Sequence, residues 1–308
     1  EAKYNKELST YSKLQNNFSS LINDFSIDKL KSMFEERKED EEKIGNGVVT
    51  TLDPVIQQAA YNALGSNKGA VVALNPKTGE VLAMVSKPTY NPNDLKASMD
   101  AANAGSADNS PLINRATAGL YPPGSTFKTI TLTSALENIG GITNRTFNDE
   151  GKIVFNDKQS LSNANNAVYG TIDLREAFKV SSNVVFGTLA MELGNDKLKA
   201  TAEDYGFNNS IEAEGITIEN SRFPTLTASE KGSIAQTGIG QSSILSTPIQ
   251  MALVSSTIAN DGKMMVPTLV SKVIDKDGNV VKTVEPKVRK QIMNSTDAGI
   301  IKDYMKNL

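Results

Sequence analysis

The sequence predicts an α/β (α+β) body over residues 47–308, preceded by a polar helical linker over residues 1–46. Three observations point to it. "GAVVALNPKTGEVLAMVS" (69–86) sets two apolar runs around a polar turn at Gly79, the pattern of a hairpin. A second extended pair surrounds "DKDGN" (275–279). Between them, helical patterns recur near 126–138, 173–192, 195–205 and 247–259.

In the first segment Leu14, Phe18, Leu21, Ile22 and Phe25 recur at spacings of three and four, which reads as an amphipathic helix. The charge run "FEERKEDEEK" (34–43) reads as a solvated face or linker, and "GNG" (45–47) breaks the pattern. Residues 48–64 pass from a β-branched run into a helix, with Asp53 as N-cap and Pro54 at the first helical position. The helix near 126–138 follows "YPPG" and ends at Gly140-Gly141. Residues 296–308 read as a further helix. No internal repeat or low-complexity tract is present.

Composition narrows the chemistry. A length of 308 residues suggests two domains of about 150 each, or one large domain with an appendage. A net charge of −3 leaves no footprint for nucleic acid or an anionic membrane surface. No apolar stretch reaches bilayer length, and the first residues lack the apolar core of a signal peptide. They also lack a starting Met, which is expected of a fragment of a longer chain. With no Cys and no His, thiolate nucleophiles, disulfides, Ser-His-Asp triads and the commonest metal ligands are excluded. Nucleophilic chemistry on this chain must use Ser, Lys, Asp, Glu or Tyr. No metal or organic cofactor is expected.

"YPPGSTFK" (121–128) supplies a candidate. Pro122 and Pro123 fix the backbone, and Gly124 permits a sharp entry into a helix that begins at Ser125. Ser125 and Lys128 then stand at i and i+3, with Cβ atoms about 5–6 Å apart. At its ordinary pKa of ~10.4 only about one lysine in a few thousand is neutral at pH 7. Burial or a nearby cation would lower that value and make Lys128 a usable base for Ser125. The helix N-terminus favours negative charge at Ser125, and its amides could stabilise an oxyanion. S-x-x-K is common by chance, and an N-cap serine followed by a solvated lysine is an ordinary helix start. "KVSSNVV" (179–185) adds a second element: Ser181 and Asn183 form S-x-N, 56 residues beyond Ser125. A hydroxyl there can relay a proton from Lys128. The asparagine can orient the lysine and bind a substrate amide.

"YPPGSTFK" with "SSN" resembles the S-x-x-K and S-D-N signature of penicillin-binding protein transpeptidases. "TTLDPVIQQAA", "NRATAGLYPPGSTFK", "LREAFKVSSNVVF" and "TGIGQSSILSTPIQMALVSSTIANDGKMMVP" extend the resemblance to class B, monofunctional members, from about residue 47 to the end. Residues 1–46 resemble the end of an N-terminal pedestal only loosely. The resemblance implies a penicillin-binding, serine β-lactamase-like fold, a mainly antiparallel sheet flanked by helices beside a helical subdomain. It implies peptidoglycan D,D-transpeptidation: Ser125 as nucleophile, Lys128 as base, Ser181 as relay, Asn183 as orienter. D-Ala-D-Ala stem peptides are the implied donors, an amine of a neighbouring stem peptide the acceptor, and β-lactam antibiotics the inhibitors. Other cell-wall synthesis proteins are implied partners, and the implied location is the outer face of a bacterial membrane. A D,D-carboxypeptidase, a β-lactamase and a non-catalytic β-lactam sensor or cell-wall scaffold remain as alternatives.

The third family motif, K-T-G, is the exception. Lys77-Thr78-Gly79 spells it but precedes Ser125 and reads as a turn. Gln236-Thr237-Gly238 stands in a suggestive place, yet its neighbours match the family's segment upstream of the motif, so it reads as structural. The K-T-G strand is then expected beyond Leu308, which leaves this chain short of one wall of the site.

Overall fold

The structure, a computed structural model, describes residue 4, residues 45–104 and residues 110–306. In chain order it begins with β1 (Gly47–Thr50), α1 (Pro54–Leu64), β2 (Gly69–Leu74) and β3 (Val81–Lys87). Helices α2 (Leu95–Ala104) and α3 (Arg115–Ala118) follow, then a 3₁₀ turn (Gly124–Phe127) that runs straight into α4 (Lys128–Asn138). Next come β4 (Thr146–Asp149), β5 (Lys152–Asn156), β6 (Gln159–Ser162) and β7 (Gly170–Asp173). Four helices succeed them: α5 (Leu174–Lys179), α6 (Asn183–Asp204), α7 (Lys231–Thr237) and α8 (Pro248–Ala259). The remainder is β8 (Lys263–Met265), β9 (Val270–Ile274), β10 (Val280–Thr283), β11 (Val288–Gln291) and α9 (Ser295–Met305).

The chain divides into two compact units. The smaller joins residues up to Thr51 with Leu269–Glu285. Its antiparallel sheet runs β1-β9-β10, with Val48 opposite Val273. Asp275 closes the turn between β9 and β10 by accepting from the amides of Asp277 (2.9 Å) and Asn279 (2.8 Å), the local bonding that makes Asp-x-x-Gly-Asn a turn. Among the described residues, Tyr4, Val270 and Val273 are its buried apolar side chains. The amphipathic pattern at 14–25 and the charge run at 34–43 lie outside the described residues.

The larger unit spans Leu52–Thr268 and Pro286–Leu308. Asp53 caps α1 through Oδ1, which accepts from the amides of Val55 (2.9 Å) and Ile56 (3.1 Å). β2 and β3 pair antiparallel from Gly69 opposite Lys87 to Leu74 opposite Val81. Alternate residues Val81, Ala83 and Val85 of β3 are buried, as the period-2 pattern requires. β4 pairs with β7, β5 with β6 and β8 with β11, all antiparallel. At the centre lies α4, buried from Lys128 to Ala135 and packed against α6. A helix covered on every side needs no amphipathic stripe. Its polar residues bond inward instead: Thr133 Oγ1 pairs with Tyr205 Oη at 2.8 Å, and Thr131 Oγ1 donates to Gly238 O at 2.9 Å.

Three helical expectations change. The helix expected from Ser125 starts as a 3₁₀ turn and becomes α-helical only at Lys128. The stretch near 173–192 is two helices, α5 and α6, separated at Val180–Ser182. The stretch near 195–205 is the second half of α6, beyond an irregularity at Gly194 (φ 78°).

Candidate active site

Gly124 sets the geometry of the first wall. Its φ of +58° lies in the left-handed region that the two preceding prolines cannot enter, and the chain turns there into the 3₁₀ segment. Gly124 N donates to Gly240 O at 3.0 Å. Gly240 (φ +72°) lies so close that a Cβ on it would fall 2.0 Å from Gly124 O and 2.7 Å from Phe127 Cβ. "TGIGQ" is therefore a backbone clamp on the Ser125 turn. Gln236-Thr237-Gly238 ends α7 and leads into this clamp, with Gly238 packed against Phe186 O. Below the turn Phe127 is fully buried between Phe207, edge-on at 5.7 Å, and Phe223, stacked at 5.8 Å. In a 3₁₀ turn side chains at i and i+3 eclipse, so Ser125 and Lys128 project along one line. Lys128 Nζ reaches Ser125 Oγ at 3.2 Å.

The second wall is the Ser181–Asn183 turn. α5 ends in a Schellman motif: Ser182 N donates to Ala177 O (2.9 Å) and Ser181 N to Phe178 O (3.1 Å). Ser181 occupies the left-handed position usually given to glycine, with φ 55°. A side chain there costs about 1–2 kcal/mol, which a residue needed only for turning would avoid. Ser182 at once becomes the N-cap of α6, its Oγ accepting from Val185 N at 3.0 Å. Ser181 and Asn183 are thus the last residue beyond one helix and the first of the next, aimed from a single tight junction.

The walls meet at Lys128, which is 1% exposed. Its Nζ donates to Asn183 Oδ1 at 2.7 Å, Ser181 O at 2.8 Å and Ser181 Oγ at 2.8 Å. Asn183 Nδ2 donates to Ser162 O at 2.9 Å, which fixes which end of the amide faces the lysine. Burial pushes the Lys128 ammonium down from 10.5 to about 8. As a free amine it has two N–H donors and one lone pair. Ser181 O and Asn183 Oδ1 can only accept, so they take the donors and turn the lone pair toward the hydroxyls of Ser125 and Ser181.

The four residues singled out in the sequence, Ser125, Lys128, Ser181 and Asn183, therefore form one cluster. A cleft of about 560 Å³ opens over it, lined by Ser125, Lys128 and Ser181 with Val72, Phe178 and Met251 among the apolar walls. Lys77, Thr78 and Gly79 form part of the β2–β3 turn, where Gly79 (φ +78°) donates its amide to Asn75 O at 2.9 Å. None of the three lines the cleft. Two residues that carry the turn gave no signal in the sequence: Asp149 and Asn163, both buried and both bonded to it.

Residues 69–308 match the family described as penicillin binding protein transpeptidase domain. The chain is 38% identical over 277 residues to the peptidoglycan D,D-transpeptidase PbpA of Mycolicibacterium smegmatis, covering 85% of this chain and 56% of that protein. It is 32% identical over 263 residues to the peptidoglycan D,D-transpeptidase MrdA of Escherichia coli K12, covering 81% and 41%. Among solved structures, a D,D-transpeptidase domain from Eggerthella lenta superposes with a TM-score of 0.78 at 37% identity, over 87% of this chain and 68% of that one. Penicillin-binding protein A of M. tuberculosis, as its penicillin G acyl-enzyme, gives 0.81 at 28% identity, over 99% and 74%. The chain spans about half the length of the curated relatives it matches. On the family match, the identities and the shared fold, the chain belongs to the penicillin-binding protein transpeptidase family, among its class B members.

Proposed function

We propose that the protein is a peptidoglycan D,D-transpeptidase that works through an acyl-enzyme on Ser125. One observation carries the reading: a lysine held off water, with its pKa lowered to about 8, lies 3.2 Å from a serine hydroxyl and is oriented by two pure acceptors. Lys128, as free base, takes the Ser125 proton while Oγ attacks the carbonyl of a D-Ala-D-Ala bond. The bond to the terminal D-Ala breaks, and the proton passes from Lys128 through Ser181 to the departing amine. An amine of a second stem peptide then attacks the ester and Ser125 regains its proton. Asn183 orients Lys128 through Oδ1, and its amide N–H is available to a substrate carbonyl. The names and complexes of the relatives support this reading, since they are D,D-transpeptidases and β-lactam acyl-enzymes.

The same chemistry makes β-lactams substrates that stall as esters. The domain is placed outside the cytoplasmic membrane, where its substrate is, and within reach of other cell-wall synthesis proteins. No helix among the described residues is long and apolar enough to cross a membrane. The test is intact mass after incubation with penicillin G, for the full gene product and for the 308-residue chain. One penicillin adduct per chain, absent in Ser125→Ala and nearly absent in Lys128→Ala, is expected. Normal acylation of Lys128→Ala would remove Lys128 from its role as base. Rapid turnover of a chromogenic β-lactam in place of a stable adduct would identify a β-lactamase.

A further inference from the structure

Behind the Ser181–Asn183 turn lies a carboxylate that the mechanism above does not use. Asp149, the last residue of β4, is 0% exposed. Its Oδ1 accepts from Gly151 N (2.9 Å) and Asn163 Nδ2 (2.8 Å), and its Oδ2 from Asn163 Nδ2 (3.0 Å) and Ser182 Oγ (2.6 Å). Both bonded side chains pass the anchorage on. Asn163 Oδ1 accepts from the amides of Asn183 (2.8 Å) and Val184 (3.1 Å), while Ser182 Oγ accepts from that of Val185 (3.0 Å). The first three amides of α6, orphans in any helix, are thus satisfied by two side chains locked to one buried carboxylate.

Stability alone does not explain this arrangement. Neutral serine and asparagine caps would satisfy the same amides, whereas a buried carboxylate carries a desolvation cost and is a weak source of stability. What the carboxylate adds is direction. It draws Ser182 and Asn163 together from behind the junction that holds Ser181 left-handed and points Ser181 Oγ and Asn183 Oδ1 at Lys128. We infer that Asp149 is a positioning residue for the acylation of Ser125, acting through Ser182 and Asn163 on the aim of Ser181 and Asn183. The inference rests on the transpeptidase reading given above.

The test uses the full gene product with Asp149→Asn, alone and on a chain already carrying Ser181→Ala and Asn183→Ala. Acylation by a fluorescent penicillin and amide hydrogen exchange are measured on each. Asp149→Asn is expected to slow acylation of the otherwise intact chain by about 10²-fold, the scale of a misplacement near 1 Å. On the doubly substituted chain the same change should cost less than about threefold, because the aim is already lost. Exchange at Asn183, Val184 and Val185 should accelerate while amides of α4 and α8 keep their protection. Acylation within about threefold of wild type, equal losses in both backgrounds, or unchanged exchange at the turn would each overturn the proposal. If Asp149→Asn fails to fold, Ser182→Ala cuts the same link with the carboxylate in place and is read by the same criteria. An unacylated wild type would refute the transpeptidase reading itself; exchange would still show whether Asp149 holds the turn.

Discussion

The 3₁₀ turn carrying Ser125 and the junction carrying Ser181 and Asn183 converge on one amine, yet they are held by different physics. The first is fixed by exclusion: glycine backbones in contact, an aromatic buried between two others, no room for a methyl group. The second is fixed by bonding: a left-handed serine, two capping side chains and a carboxylate behind them. Exclusion is indifferent to charge and fails through clash or cavity. Bonding has direction and fails when a donor or acceptor is lost. A site built from both can be broken in two distinguishable ways.

The largest effect is expected at the steric wall. Gly240→Ala places a methyl 2.0 Å from Gly124 O at a φ of +72°, so the Ser125 turn must move. Penicillin labelling should be abolished, and unfolding measurements should show a loss of about 3 kcal/mol or more from overpacking and backbone strain together. A Gly240→Ala chain that labels normally would show that the clamp is slack.

Next comes pH, which reads the point where the walls meet. With Lys128 at about 8, acylation should rise about tenfold between pH 7 and pH 9 and then level off. Stability follows the same group. Its folded pKa lies below the unfolded 10.5, so between about 8 and 10.5 the unfolded chain holds the proton and the folded chain does not. Stability should therefore rise with pH across that window by about 3 kcal/mol relative to a Lys128→Met chain; the gain disappears progressively as pH falls from 10.5 to 8, and below 8 none of it remains. Denaturant unfolding at pH 7 and pH 10 of both chains measures the difference.

A smaller effect separates the walls again. Thr131→Val keeps the shape of α4 but leaves Gly238 O without the 2.9 Å bond from Thr131, which should cost about 1–3 kcal/mol. Labelling should persist, because the glycine contacts above it are untouched. The smallest change is expected on the surface, where Lys287 and Glu212 pair at 2.8 Å with both side chains more than half exposed. Lys287→Ala should shift stability by less than about 1 kcal/mol and labelling not at all.

The legibility of the site in the sequence follows the same division. Ser125 and Lys128 are three residues apart, so any helical turn brings them together, and even the unforeseen 3₁₀ geometry improves the alignment. Ser181 and Asn183 were legible through the order of two motifs, although periodicity ran one helix through them; a left-handed serine has no signature of its own. Asp149 and Asn163 were not legible. Their bonds to Ser182 and Asn183 cross 33 and 20 residues, and "FNDEG" and "LSNANN" read as ordinary turns until β4, β6 and α6 are packed together. The hairpins at 69–86 and around 275–279 were clear because alternation and turn residues are local. The break at Val180–Ser182 was hidden because no glycine or proline marks it.

That left-handed serine limits what can replace it. A β-branched side chain is a steric outlier at positive φ. Threonine would supply the same hydroxyl and the same proton chemistry, but the backbone at position 181 excludes it. Asparagine, aspartate and glycine suit the backbone and discard the hydroxyl. Among residues with an aliphatic alcohol, serine is therefore the one that suits the backbone at position 181, so Ser181→Thr is expected to disturb the junction between α5 and α6 rather than exchange one hydroxyl silently for another.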